Sequence, residues 1–165
     1  NENSAGQRAP MRAAQTQQFL YIFNAWSNGT RVMQSATRST RTFARMGELA
    51  ENDEELAERL RMLKYRVPEE LYDVRTDPDC LHNLIDDPAY QPVISELTTA
   101  LQAHLTRTND HALAPFLARE DKQAVAAYMR EQNRAKAEQQ AFVRKIRESM
   151  SQEAKKAAPS VEERQ

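Results

Sequence analysis

Residues 69–88 read EELYDVRTDPDCLHNLIDDP, and how this stretch is parsed decides the fold. It begins as a strand over Val67–Val74, with Pro68 where a missing N–H is tolerated, at a strand start or sheet edge. The Asp77-Pro78 corner stops that strand, and Asp87 is positioned to cap a helix opening at or just after Pro88. Beyond it Tyr90, Ile94, Leu97, Leu101 and Leu105 recur every three or four residues, a stripe that predicts an amphipathic helix through about Arg107. Strand, turn and one-faced helix together ask for a sheet on which the helix lies.

The rest of that sheet is sought upstream. In QQFLYIFNAW (17–26), Phe19, Tyr21 and Phe23 alternate with Leu20 and Ile22, so the strand is apolar on both sides and needs cover on both. The pair Asn28-Gly29 follows, and since both residues tolerate positive φ it predicts a hairpin with a return strand over Thr30–Met33. From about Thr40 the pattern turns helical, is interrupted near Gly47, and resumes with Asn52 or Asp53 capping a helix striped by Leu56, Leu60 and Leu63. After the connector TNDHALAPF (108–116), Glu120 to about Ala157 has almost no helix breaker. This tail predicts a long solvated helix with two docking points, Val125/Tyr128/Met129 and Phe142/Val143/Ile146/Met150. The fold class expected is α+β, with strands and helices sharing a core that lies before about Leu117 and a mostly helical charged tail over 118–165.

Composition narrows the function. A chain of 165 residues with 23 Lys+Arg against 24 Asp+Glu has no general attraction for nucleic acid, and no apolar run reaches the length of a membrane span. Asn1–Pro10 carries neither an initiator Met nor a signal-peptide pattern and reads as the interior of something longer. Charge is uneven: Arg8, Arg12, Arg31, Arg38, Arg41 and Arg45 face the single acid Glu2 before Gly47, and carboxylates dominate from Glu48 to Asp87. The one cysteine, Cys80, excludes an internal disulfide. Its neighbours Asp77, Asp79, Asp86 and Asp87 oppose thiolate formation, and His82 two residues away has no fixed geometry in a loop, so Cys80 reads as a bystander. The acidic residues lack the ligand spacing of a calcium loop and are better explained as turn and cap residues. His82, His104 and His111 are scattered and read as surface or loop residues.

ELYDVRTDPDCLHNLIDDPAY (70–90), followed by the amphipathic helix and TRTND (106–110), resembles the C-terminal subdomain of sulfatases, in the alkaline-phosphatase-like superfamily. Those chains carry an E-L-Y-D-L strand, a D-P turn, an N-L pair and a D-P-opened helix. MRAAQTQQFLYIFN from Met11 resembles the M-R-A strand entry of the heparan N-sulfatase (sulfamidase) branch, and YRVPEELYDV (65–74) resembles that branch's aromatic-Arg lead into the same strand. The resemblance covers about Met11–Leu117. It implies, for residues 1–117, a small antiparallel sheet of about four strands packed by an amphipathic helix, docked on a large catalytic domain and closing one side of its cleft. It implies also that the hydrolytic apparatus lies elsewhere: sulfatases convert the Cys or Ser of C-x-P-x-R to formylglycine beside calcium-binding Asp and Asn, whereas Cys80 stands in CLHNL. This chain is therefore expected to hold no catalytic, cofactor or metal residue. Its expected partners are the sulfatase catalytic domain and, through the whole enzyme, a sulfated carbohydrate, in a periplasmic, secreted or lysosomal setting.

Arg38, Arg41 and Arg45 are the candidate substrate rim, sharing one face if Ser39–Met46 is helical and offering donor forks to sulfate oxygens. Solvated surface arginines are the plainer reading. The competing class of function is a non-catalytic interaction module that binds a partner through the long C-terminal helix.

Overall fold

The computed structural model describes residues 8–157. Three strands, β1 (Met11–Gln15), β2 (Phe19–Asn24) and β3 (Glu69–Asp73), form an antiparallel sheet in the order β1-β2-β3. Helices α1 (Arg41–Leu49) and α2 (Glu54–Tyr65) lie between β2 and β3 in sequence, and α3 (Gln91–Arg107), α4 (Leu113–Leu117) and α5 (Lys122–Ala157) follow. The chain divides into two compact units, one through Met129 and one from Arg130.

The hairpin differs from the one expected. β2 pairs with β1 before it, through a turn in which the Thr16 N–H donates to the Phe19 carbonyl (2.9 Å) and the Phe19 N–H to the Thr16 hydroxyl (2.9 Å). Thr30–Met33 is not a strand. Gly29 does take positive φ, +81°, but Asn28 spends its side-chain carbonyl on the Arg31 (2.7 Å) and Thr30 (3.1 Å) N–H groups, closing a local turn in place of a two-strand one. The described sheet thus has three strands where about four were expected.

Period two sorts each strand onto two faces. Tyr21 is opposite Leu71 in register, and these with Phe23 meet Leu97, Leu101 and Leu105 of α3 and Phe116 of α4 in the core. Phe116 stands edge-on to Tyr21 and Phe23, at centroid distances of 6.4 and 5.3 Å. The stretch expected to be a mere connector therefore contains a helix and a fully buried core residue. Val125 and Tyr128 of α5 pack against the same cluster, and in the unit from Arg130 the residues of the second expected docking point, Phe142, Val143, Ile146 and Met150, are exposed.

The deciding stretch folds much as read, with shorter bounds. β3 ends at Asp73; the Asp77 carboxylate accepts from the N–H groups of Leu81 (3.0 Å) and His82 (2.8 Å), and Asp87 caps a 3-10 turn, Pro88–Tyr90, that leads into α3. Asn83 closes the outer edge of β3: its Oδ1 accepts from the Leu71 N–H (2.8 Å) while the Leu84 N–H donates to the Leu71 carbonyl (2.8 Å). Asp53 caps α2 through the Leu56 N–H (3.0 Å). α1 runs unbroken through Gly47, and α5 starts at Lys122, after Asp121, which accepts from the Gln123 N–H (2.8 Å).

Candidate docking face

The second face of the sheet presents Leu20 and Ile22 of β2, half-buried, beside Asn24, Glu70 and Tyr72, fully buried. Ala13 of β1, opposite Ile22, is exposed. Helix α2 reaches this side at the β3 end, where Met62 Sδ lies 3.9 Å from the Tyr72 hydroxyl oxygen. It does not clothe the whole face. An open groove of about 1180 Å³, lined among others by Arg59, Met62, Leu81 and His82, has Glu70 and Tyr72 in its wall.

Glu70 is the residue that hydropathy alone misses. It is 1% exposed, and both its oxygens are filled: Oε1 accepts from Arg66 Nε (2.8 Å) and Asn24 Nδ2 (2.6 Å), Oε2 from Arg66 Nη2 and the Tyr72 hydroxyl (2.9 Å). A carboxylate is tolerated in such a place when it is paired and fully hydrogen-bonded. Arg66 reaches it from the C-terminal cap of α2, at φ 52°, a left-handed conformation that costs a non-glycine residue strain. Burial and the adjacent Glu70 charge drive the Tyr72 hydroxyl far above the ordinary phenol range, so it stays a donor. The signals were in YRVPEEL: an Arg four residues before a Glu whose place in the strand alternates with Leu71.

Two polar clamps hold the opposite, α3-covered side. The Tyr21 hydroxyl donates to Glu69 (2.5 Å), which also pairs with Arg119 (3.2 Å), and Arg119 lies over the Phe116 ring at 5.1 Å. Arg12 forks onto Asp110, both bonds 2.8 Å, and Arg12 Nη2 lies 3.4 Å from His111 Nε2; His111 Nδ1 is 2.8 Å from the Tyr128 hydroxyl. The Arg12 bond holds the Asp110 carboxyl below the usual carboxylate range, and burial, then the Arg12 charge, lowers His111. Burial pushes the Tyr128 hydroxyl up to about 12.

The rim arginines do not share one helix face. Arg38 sits in a separate 3-10 turn, Ala36–Ser39, and the extended Thr40 (ψ 153°) that caps α1 divides it from Arg41 and Arg45. Arg41 is exposed, Arg45 pairs with Glu48 at 2.6 Å, and Arg38 Nη1 donates to Gln34 (2.9 Å). Cys80 has φ 53° in the turn after Asp79, and burial followed by the Asp77 charge pushes its thiol up, away from nucleophilic form.

No family model matches the chain. An uncharacterized protein of Haemophilus influenzae is 42% identical over 41 residues, a quarter of this chain and 21% of that protein's own length.

Proposed function

We propose that this chain is the C-terminal portion of a sulfatase, acting on a sulfate ester or sulfamate, that packs on the catalytic domain and shapes its cleft without supplying catalytic residues. What supports the reading above all is that each element of the sulfatase-like stretch has a structural use in the expected order. Glu70-Leu71-Tyr72-Asp73 lies in β3, Asp77 organises the turn, Asn83-Leu84 bonds back to Leu71, and Asp87-Pro88 opens the helix that crosses the sheet. The second sheet face, with Leu20 and Ile22 half-buried, is the side offered to the catalytic domain, whose cover would remove that apolar surface from water.

On this reading the whole enzyme binds a sulfated carbohydrate, and formylglycine and calcium belong to the catalytic domain. Sequencing the coding region upstream of Asn1 tests it: an in-frame C-x-P-x-R within a few hundred codons is expected, and an upstream region without one sinks the assignment. The isolated chain should hydrolyse no sulfate ester or sulfamate even with calcium. Turnover that disappears in Cys80→Ala would overturn the assignment of chemistry to another domain. Reversing the charge of Arg38 and Arg41 in the intact enzyme should raise KM for a polysulfated substrate more than for a small monosulfated one; equal changes return both arginines to the solvated surface.

A further inference from the structure

Beyond Arg130, α5 carries an exposed apolar stripe. Phe142, Ile146 and Met150 succeed one another at intervals of four, and Val143 widens the stripe beside Phe142. Their exposures are 64%, 43%, 63% and 40% in that order. At about 100° of rotation per residue, Phe142 and Val143 lie on opposite sides of Ile146 and span an arc of roughly 100°. That is broader than the narrow seam by which two helices wind together.

The charges around the stripe limit what can lie on it. Lys145 precedes Ile146 and Arg147 follows it, so one cation stands on each flank, about 100° from the stripe's axis. Arg144 is on the far side, 3.8 Å from Glu148. Residues 141–150 thus hold Arg144, Lys145 and Arg147 against Glu148 alone, and the stripe stops where Gln139 and Glu153 take its axial positions. A second copy of this helix, run in either direction, would bring Lys145 and Arg147 up to the same two cations. The surface instead suits an occupant that is apolar in the middle and negative on both sides.

We propose that this segment of α5 lies on an anionic lipid surface, with Phe142, Val143, Ile146 and Met150 entering the interface and Lys145 and Arg147 reaching along it to the headgroups. Long basic side chains extend from an apolar face toward water in this manner, and a plane engages both flanks of a broad stripe at once. The helix lies on the bilayer; no helix among the described residues is long and apolar enough to cross one. This inference does not depend on the sulfatase reading.

The test uses the full chain with vesicles of phosphatidylcholine, alone or mixed with phosphatidylglycerol. Sedimentation with the mixed vesicles is expected, weakening with added salt, and little with phosphatidylcholine alone. Lys145→Glu with Arg147→Glu should lower partitioning at least about tenfold, since each cation near an anionic bilayer contributes on the order of 1 kcal/mol. Phe142→Asp should abolish it and Glu153→Lys strengthen it, with helix content by circular dichroism unchanged in each, because these side chains are exposed. No binding to the mixed vesicles overturns the proposal. So does binding that ignores Phe142, concentration-dependent self-association that requires Phe142, or Phe142-dependent capture by an acidic protein without vesicle binding.

Discussion

The two faces of the sheet are built from alternate residues of the same strands and solve the burial problem differently. On one, Tyr21, Phe23 and Leu71 meet α3 and α4, and apolar area removed from water is the main stabilising contribution. On the other, Glu70 is held by Arg66, Asn24 and Tyr72 while Leu20 and Ile22 stay half-buried. The first face tolerates changes of shape poorly. The second is intolerant of losing a partner, since a charge stripped of its counter-charge in a buried site costs more than the pair contributed.

Substitutions should expose that contrast. Phe116→Ala, which empties the space between Tyr21 and Phe23, is expected to cost about 4 kcal/mol in denaturant unfolding. A loss below about 1 kcal/mol would mean the α3 face is not the principal core. Glu70→Ala should cost about 3 kcal/mol by stranding Arg66 and the Asn24 and Tyr72 donors, and the double change Glu70→Leu with Arg66→Met should recover much of it. If the double variant is no better than the single one, the pair is not what holds that face. Arg12→Met, at the better-solvated bridge to Asp110, should cost about 1 kcal/mol.

Titration gives smaller effects. Asp110 has a depressed folded pKa, so its contribution is complete above the unfolded carboxylate pKa and is lost as pH falls from there through the folded value. That acid loss should be smaller in Arg12→Met, where the Ala112 N–H still bonds the carboxylate. His111, also depressed, contributes while neutral, and stability should decline as pH drops below 6.5 toward its folded pKa. In an NMR titration of His111, a midpoint above 6.5 would reverse the predicted sign.

Much of this was legible beforehand. The α3 stripe and the Asp77 and Asp87 corners announce themselves because helix periodicity and turn chemistry are local properties. β1 was not read beforehand, because Ala13-Ala14 has too little side chain for a strand pattern and its pairing is fixed by β2. The Asn28-Gly29 signal was sound about φ and misleading about what followed, since a side-chain carbonyl competed for the backbone donors. Glu70 was hidden because any reading that sorts residues by hydropathy sends a glutamate outward. The grouping of Arg38 with Arg41 and Arg45 failed on one extended residue, Thr40.

The side chain of Asn83 has one more consequence. Where it meets Leu71, the backbone groups that another strand would need are already engaged, one by an amide oxygen and one by the next residue's N–H. An open strand edge is a template on which copies of a chain can zip together into insoluble ribbons, and this one is plugged by two contacts from the loop that follows it. The plug comes from the same polypeptide a dozen residues later, so the hazard is greatest while that loop is still unfolded and ends once it settles.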